Sequence, residues 1–307
     1  MNPYHLVFSG QGSQFVGMGN DFYNQFPEAK SLFESANDIL GYSISDICFE
    51  GPSETLNLTQ HTQVAIFIVS AAIFQALPQN DIAIASVAGH SLGEITAYYA
   101  AGVLDFESAL NIVIKRGQLM GQAAEQTSGK MAAIIGLDQA TIESIIDPIT
   151  GCAIANYNSP QQLVISGESS AIELALPALQ KAGAKRIIEL PVSGAFHSPL
   201  MRSAVLPFRS YLESFQFNAP RYPIVLNRTA LAETNPDQLK ENLSLQIESS
   251  VQWIASIESM GQDLPSFIEV GPGKVLSGLI KKINRSFGVY PTSTLEGIEQ
   301  IKVEVLS

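Results

Sequence analysis

The sequence predicts an α/β fold in which a large domain is interrupted by a smaller inserted one, and three observations carry that expectation. The apolar run Ile82–Ala88 closes on Gly89-His90-Ser91-Leu92-Gly93, and the Ala-rich run Glu94–Ala101 opens from it, giving strand, sharp turn and helix. Between Met131 and Leu190 the apolar pattern follows the order β-α-β-β-α-β, the split unit of ferredoxin-like domains. With 307 residues, 46% hydrophobic and 15% charged, the chain can fill one large core and a small satellite.

Taken in order, Tyr4–Phe8 is a first strand running into Ser9-Gly10-Gln11-Gly12. Pro27–Leu40 has helical period and continues through Ser45–Phe49; Gly51-Pro52-Ser53-Glu54 is a turn and helix start. His61–Leu77 is an apolar helix expected beside the elbow strand. Asp105 caps a long helix reaching about Gln126. In the insert, strands are expected at Met131–Leu137, Cys152–Tyr157, Leu163–Gly167 and Arg186–Leu190, with helices at Gln139–Ile146 and Ser170–Ala182. Asn158-Ser159-Pro160-Gln161 makes the hairpin turn, and Gly129 and Pro191 mark the crossings between domains. Ser198-Pro199 starts a helix, Tyr222–Leu226 is a strand, Pro236–Ile247 a helix, and Ser266–Val270 a late buried strand ending in Gly271-Pro272-Gly273. The large domain is thus 1–128 with 192–307, and the insert 129–191.

Bulk properties exclude several classes. A net charge of −12 and a pI near 4.8 argue against a nucleic-acid partner. The longest apolar stretch, Val64–Leu77, is too short to span a bilayer and contains Gln75, so no membrane partner is expected. The N-terminus lacks the basic region and cleavage site of a signal peptide, which makes the cytoplasm the default location. Cys48 and Cys152 have no metal-ligand spacing and read as core thiols; no metal or cofactor site is indicated. A monomer is the default oligomeric state.

Chemistry concentrates at the elbow. Glycines flanking Ser91 permit a turn that lifts the hydroxyl clear of the sheet at a helix start, where the amide of Leu92 can stabilise an oxyanion. The loop Gly10-Gln11-Gly12 has no complete phosphate-binding pattern; its glycines allow close backbone approach, with the Gln11 amide as a second donor. Among the four histidines, His197 is the best placed base for Ser91. Arg116, beside Gly117 in an apolar segment, is either a surface charge or a buried guanidinium needing a carboxylate or phosphate partner.

These residues together resemble a known family. Gly10-Gln-Gly-Ser-Gln14, Gly89-His-Ser-Leu-Gly-Glu94, Arg116-Gly-x-x-Met120, Asn158-Ser-Pro160 with Val164-Ile-Ser-Gly167, Ala195-Phe-His-Ser198, Gln246 with Val251-x-Trp253, and Glu269-Val-Gly-Pro-Gly-Lys274 occur in order over nearly the whole chain. They are similar to the malonyl-CoA:acyl carrier protein transacylases of fatty-acid synthesis and the acyltransferase domains of polyketide synthases. The resemblance implies an α/β-hydrolase-like large domain with a parallel sheet and a ferredoxin-like insert. It further implies Ser91 as nucleophile, His197 as base, Gln11 and Leu92 as oxyanion donors, Arg116 as partner of the malonyl carboxylate, and Gln246 as the residue orienting His197. The partners implied are malonyl-CoA and an acyl carrier protein, with no cofactor beyond the carrier's own phosphopantetheine. Phe196 before His197 is the pattern associated with malonyl rather than methylmalonyl. Ser9 departs from the proline common before the first Gly-Gln-Gly. Lys274, Lys281, Lys282 and Arg285 form a candidate surface for an acidic carrier. The rival readings are a hydrolase that clears acyl carriers, and a non-catalytic carrier-binding module in which Ser91 only caps its helix.

Overall fold

The computed structural model describes residues 3–306; Met1, Asn2 and Ser307, which the sequence reading assigns to the large domain, lie outside the described residues. The chain opens with β1 (Tyr4–Phe8), buried along its whole length. Next come α1 (Asn20–Gln25), α2 (Pro27–Leu40), α3 (Ile44–Phe49), α4 (Ser53–Leu56) and α5 (Thr59–Ala76). The helical run after Pro27 divides because Gly41 turns left-handed at φ +72° and Ser43 starts a new helix, its Oγ accepting from the Asp46 N–H.

β2 (Ile84–Gly89) ends in the elbow and α6 (Gly93–Ala100) leaves it. α7 (Phe106–Glu125) begins at Asp105, whose carboxylate accepts from the Ser108 N–H at 2.7 Å. α5 is apolar on every side and almost wholly buried, its main contacts being α2, α7 and α6. It therefore stands beside the elbow helix.

The second sheet is built from β3 (Gly129–Ile135), β4 (Cys152–Ser159), β5 (Gln162–Glu168) and β6 (Arg186–Glu189), with α8 (Gln139–Ile146) and α9 (Ser169–Lys181) between them. Its order β4-β5-β3-β6 is antiparallel throughout, the ferredoxin-like arrangement. Ile134, Ile142, Leu163, Ile165, Ile172 and Leu179 close a core of its own between sheet and helices. Gly129 is the first paired residue of β3, opposite Glu168, so the crossing lies before it.

The chain returns through a short 3-10 turn, Pro199–Met201, into α10 (Arg202–Leu212). Then follow β7 (Ile224–Val225), β8 (Ala232–Glu233), α11 (Pro236–Gln246), α12 (Trp253–Gly261), β9 (Ser266–Val270), α13 (Val275–Ile283), β10 (Gly288–Pro291) and α14 (Leu295–Leu306). The large sheet runs β10-β9-β1-β2-β7-β8 and is parallel except for β8, which pairs antiparallel with β7. The parallel sheet expected from the sequence is thus mixed at one edge. Cys48 is buried, while Cys152 is only half-buried. No helix among the described residues is long and apolar enough to cross a membrane.

Main-chain bonds tie the small sheet to the large domain at Val251, in the segment between α11 and α12. Val251 donates to the carbonyl of Ala155 at 2.8 Å and accepts from the N–H of Tyr157 at 2.9 Å, a parallel bridge between β4 and the segment before α12. At the centre, β1 and α6 approach so closely that a Cβ on Gly93 would lie 2.1 Å from the carbonyl oxygen of Phe8. Gly93→Ala is therefore expected to destabilise the protein by roughly 1–3 kcal/mol or more, through overpacking against backbone that cannot yield. Chemical denaturation measures it; a variant as stable as the parent would mean the two elements can separate.

Candidate active site

Ser91 stands at the tip of the elbow with φ +52°, in the left-handed region that non-glycine residues seldom adopt. Gly89 makes the turn possible, since a Cβ there would fall 1.9 Å from the carbonyl carbon of Gly93. The His90 N–H donates to the Phe8 carbonyl at 3.0 Å, tying the turn to the end of β1. The hydroxyl of Ser91 lies 2.7 Å from His197 Nε2 and accepts from Arg116 Nη2 at 3.0 Å.

His197 precedes the 3-10 turn capped by Ser198, whose Oγ accepts from the Leu200 N–H and donates to the Ala195 carbonyl. The imidazole Nδ1 lies 3.0 Å from the carbonyl oxygens of both Gln246 and Ser249. Carbonyls only accept, so Nδ1 carries the proton and Nε2 presents its lone pair to Ser91. Burial pushes the imidazole pKa down to about 3, and the positive charge of Arg116 adds to the effect. The ring is a neutral acceptor over the whole physiological range.

Gln246, the last residue of α11, touches His197 through its main chain. Its side chain faces the nucleophile instead: Oε1 accepts from Arg116 Nη2 at 3.0 Å, and Nε2 donates to the Ser91 carbonyl at 2.9 Å.

Arg116, on α7, is only 1% exposed. Its hydrogen bonds go to neutral groups: Nη1 to Gln63 Oε1 at 2.7 Å, Nη2 to Ser91 and Gln246, while Nε is buried with no partner among the described residues. Burial lowers its pKa to about 10, opposed by the charge of Glu94. Glu94, also 1% exposed, accepts from the Asn227 N–H at 2.6 Å and from the Tyr98 hydroxyl at 3.2 Å. Burial raises its carboxyl to about 7 against those hydrogen bonds. A guanidinium in this setting is short of one anionic partner.

Gln11, Ser91, Leu92, Arg116 and His197 border one cavity of about 250 Å³, with Met120, Met131 and Phe196 as apolar wall. Among the described residues, no protein acceptor takes the backbone N–H of Gln11 or of Leu92. Gln246 does not border the cavity itself.

Three further side chains join the site. Gln63 holds Arg116 from α5, Asn158 Oδ1 accepts from His90 Nε2 at 2.7 Å, and Asn227 bonds the elbow backbone on both sides of His90. Gln63 sits at the polar start of α5, beside Gln60 and Thr62, where nothing in the sequence sets it apart, and Asn227, following a strand, carries no signal either. Of the basic residues, Lys281, Lys282 and Arg285 border a second cavity of about 560 Å³ against the hairpin turn Ser159-Pro160-Gln161, whereas Lys274 is exposed apart from it.

The acyl transferase domain family matches residues 5–302. The malonyl CoA-acyl carrier protein transacylase of Bacillus subtilis is 40% identical over 304 residues, covering 97% of this chain and 96% of that protein. The Escherichia coli protein of the same description is 42% identical over 288 residues, covering 92% and 93%. The chain belongs to the malonyl-CoA:acyl carrier protein transacylase family. Solved members share its fold. An acyl carrier protein S-malonyltransferase from Vibrio cholerae superimposes with a TM-score of 0.93 at 39% identity, over 98% of this chain and 100% of that one. A malonyl-transacylase solved in complex with its type II PKS acyl-carrier protein gives 0.93 at 36% identity, over 97% and 98%.

The depressed imidazole pKa has a measurable consequence. Unfolded, His197 binds a proton below its ordinary 6.5; folded, it does so only near 3. Between these values the unfolded state binds more protons, so stability rises with pH, by up to about 1.4 kcal/mol per unit, and is lost as pH falls toward 3. Replacing His197 by Gln should remove this share of the slope in denaturation midpoints taken across that window. An unchanged slope would mean that His197 titrates normally in the fold.

Proposed function

We propose that the protein transfers malonyl from malonyl-CoA to the phosphopantetheine thiol of an acyl carrier protein through a malonyl ester on Ser91. One observation carries the reading: the 2.7 Å Ser91–His197 hydrogen bond stands next to a buried arginine whose bonds go only to neutral groups. His197 Nε2 takes the hydroxyl proton as Ser91 Oγ attacks the thioester carbonyl. The N–H groups of Gln11 and Leu92 hold the resulting oxyanion. Collapse breaks the carbon–sulfur bond, and the CoA sulfur leaves with the proton from His197. The carrier thiol then gives its proton to the same nitrogen and attacks the ester, and Ser91 Oγ leaves protonated.

Arg116 is the specificity element in this reading, pairing with the free malonyl carboxylate. An acetyl unit leaves the guanidinium without that partner, at a cost of roughly 2–5 kcal/mol. The main-chain carbonyls of Gln246 and Ser249 do for His197 what a triad carboxylate does elsewhere, fixing tautomer and tilt without a charge. Phe196 on the cavity wall favours malonyl over methylmalonyl by shape. Residues 129–191 form the inserted domain, and 1–128 with 192–307 the catalytic one. The enzyme acts in the cytoplasm on a fatty-acid carrier; similarity to a malonyl-transacylase solved with a type II PKS carrier keeps polyketide synthesis as the alternative. The acidic carrier docks where Lys281, Lys282 and Arg285 border the cleft against the insert.

The decisive measurement is intact mass after brief exposure to malonyl-CoA. A malonyl adduct is expected on the parent and absent from Ser91→Ala, with discharge on adding holo carrier. An adduct that water clears as fast as carrier does would favour the hydrolase, and no adduct with any acyl-CoA the binding module.

Arg116→Ala should lower malonyl loading and raise the acetyl-to-malonyl ratio; an unchanged ratio would refute the carboxylate assignment. Reversing Lys282 and Arg285 to Glu should raise the KM for carrier while leaving Ser91 loading from malonyl-CoA intact. Carrier kinetics equal to the parent would reject that docking face.

A further inference from the structure

Asn227 is 1% exposed and meets the elbow at three points. Its Oδ1 accepts from the Ser91 N–H at 2.6 Å, its Nδ2 donates to the Gly89 carbonyl at 2.6 Å, and its own N–H donates to the buried carboxylate of Glu94 at 2.6 Å. Its carbonyl in turn accepts from the Gln252 N–H at 2.8 Å, so the residue is fixed from both sides. β2 and β7 are paired through Ala88 and Val225, and there the ladder stops because the elbow turns away. The planar amide of Asn227 continues the pairing with a side chain. It offers one acceptor and one donor to the peptide groups on either side of His90, as a neighbouring strand would.

We propose that Asn227 is a positioning residue for the nucleophile, holding the left-handed conformation of Ser91 so that its hydroxyl meets His197 while the N–H of Leu92 faces the oxyanion site. The argument rests on the acyl-enzyme reading above. Because Asn227 occupies the amide of Ser91, Leu92 supplies the elbow's remaining free N–H. Without the clamp, Ser91 at φ +52° can relax toward ordinary backbone geometry, which moves both groups together. Asn227 borders neither the cavity nor the arginine, so substrate affinity does not depend on it.

The test is the single-turnover rate of Ser91 malonylation at saturating malonyl-CoA, read by quenched intact mass. For Asn227→Ala the expected result is a slowing of roughly 10- to 100-fold, the scale of two lost buried hydrogen bonds. Malonyl-CoA affinity, measured in a Ser91→Ala background with and without the change, should stay within about threefold. Where the alanine variant does not fold, Asn227→Asp carries the test: it keeps the acceptor for Ser91 and sets an oxygen against the Gly89 carbonyl, and the same slowing at kept affinity is expected. Rate and affinity falling together would indicate a merely structural role and overturn the proposal. So would parental acylation rates in the variants while the parent forms its adduct. A parent that forms no adduct would overturn the acyl-enzyme reading, and this proposal with it.

Discussion

A serine does not hold a φ of +52° unaided; the surroundings must fix it, and in this fold most of the architecture converges on that task. Its two flanking glycines leave out the side chains that would collide, and the carbonyl of Phe8 receives the amide of His90. The helix that follows can then begin almost against β1, where only Gly93 fits. Asn227 and Gln246 engage the peptide groups that the turn leaves over, at Gly89 and Ser91. The central strands, the elbow helix and the end of α11 are consequently one mechanical unit, and the nucleophile is displayed by that unit rather than by a loop.

The electrostatics follow from burial. Arg116 is enclosed by Gln63, Gln246 and Ser91, all neutral, with Glu94 acting on it as a nearby charge and not as a bonded partner. The same burial that keeps His197 neutral raises the Glu94 carboxyl toward neutrality, so the site favours a positive balance waiting for one anion. The burial of the guanidinium and the methionine and phenylalanine side chains beside it lower the local dielectric and strengthen that preference.

Much of this was legible in the chain because local chemistry and global fold agree there. The elbow announces itself through glycine spacing between an apolar and an Ala-rich run, and the insert through a period that alternates cleanly over sixty residues or so. Its strands and helices fall within two or three residues of where periodicity puts them. What escaped has physical reasons. β8 is two residues long and β10 four, too short for any period, and their identity as strands comes from the neighbours they pair with. α12 has no side-chain cap to announce it, whereas α14 does carry a start signal in Thr294, whose Oγ1 accepts from the Gly297 N–H. Asn227 acts through tertiary hydrogen bonds that no spacing encodes. Gln246 illustrates a subtler limit: the residue is in the site, yet its carbonyl, which any amino acid would provide, is what meets the histidine.

The bridge at Val251 bears on how the cleft works as a mechanism in the engineering sense. Val251 is fully buried and both gives and receives a main-chain bond with β4. Swinging the small sheet away from that segment would break both bonds where water cannot replace them. The seam therefore resists that motion, and the wall that β4 gives to the site stays fixed relative to the start of α12.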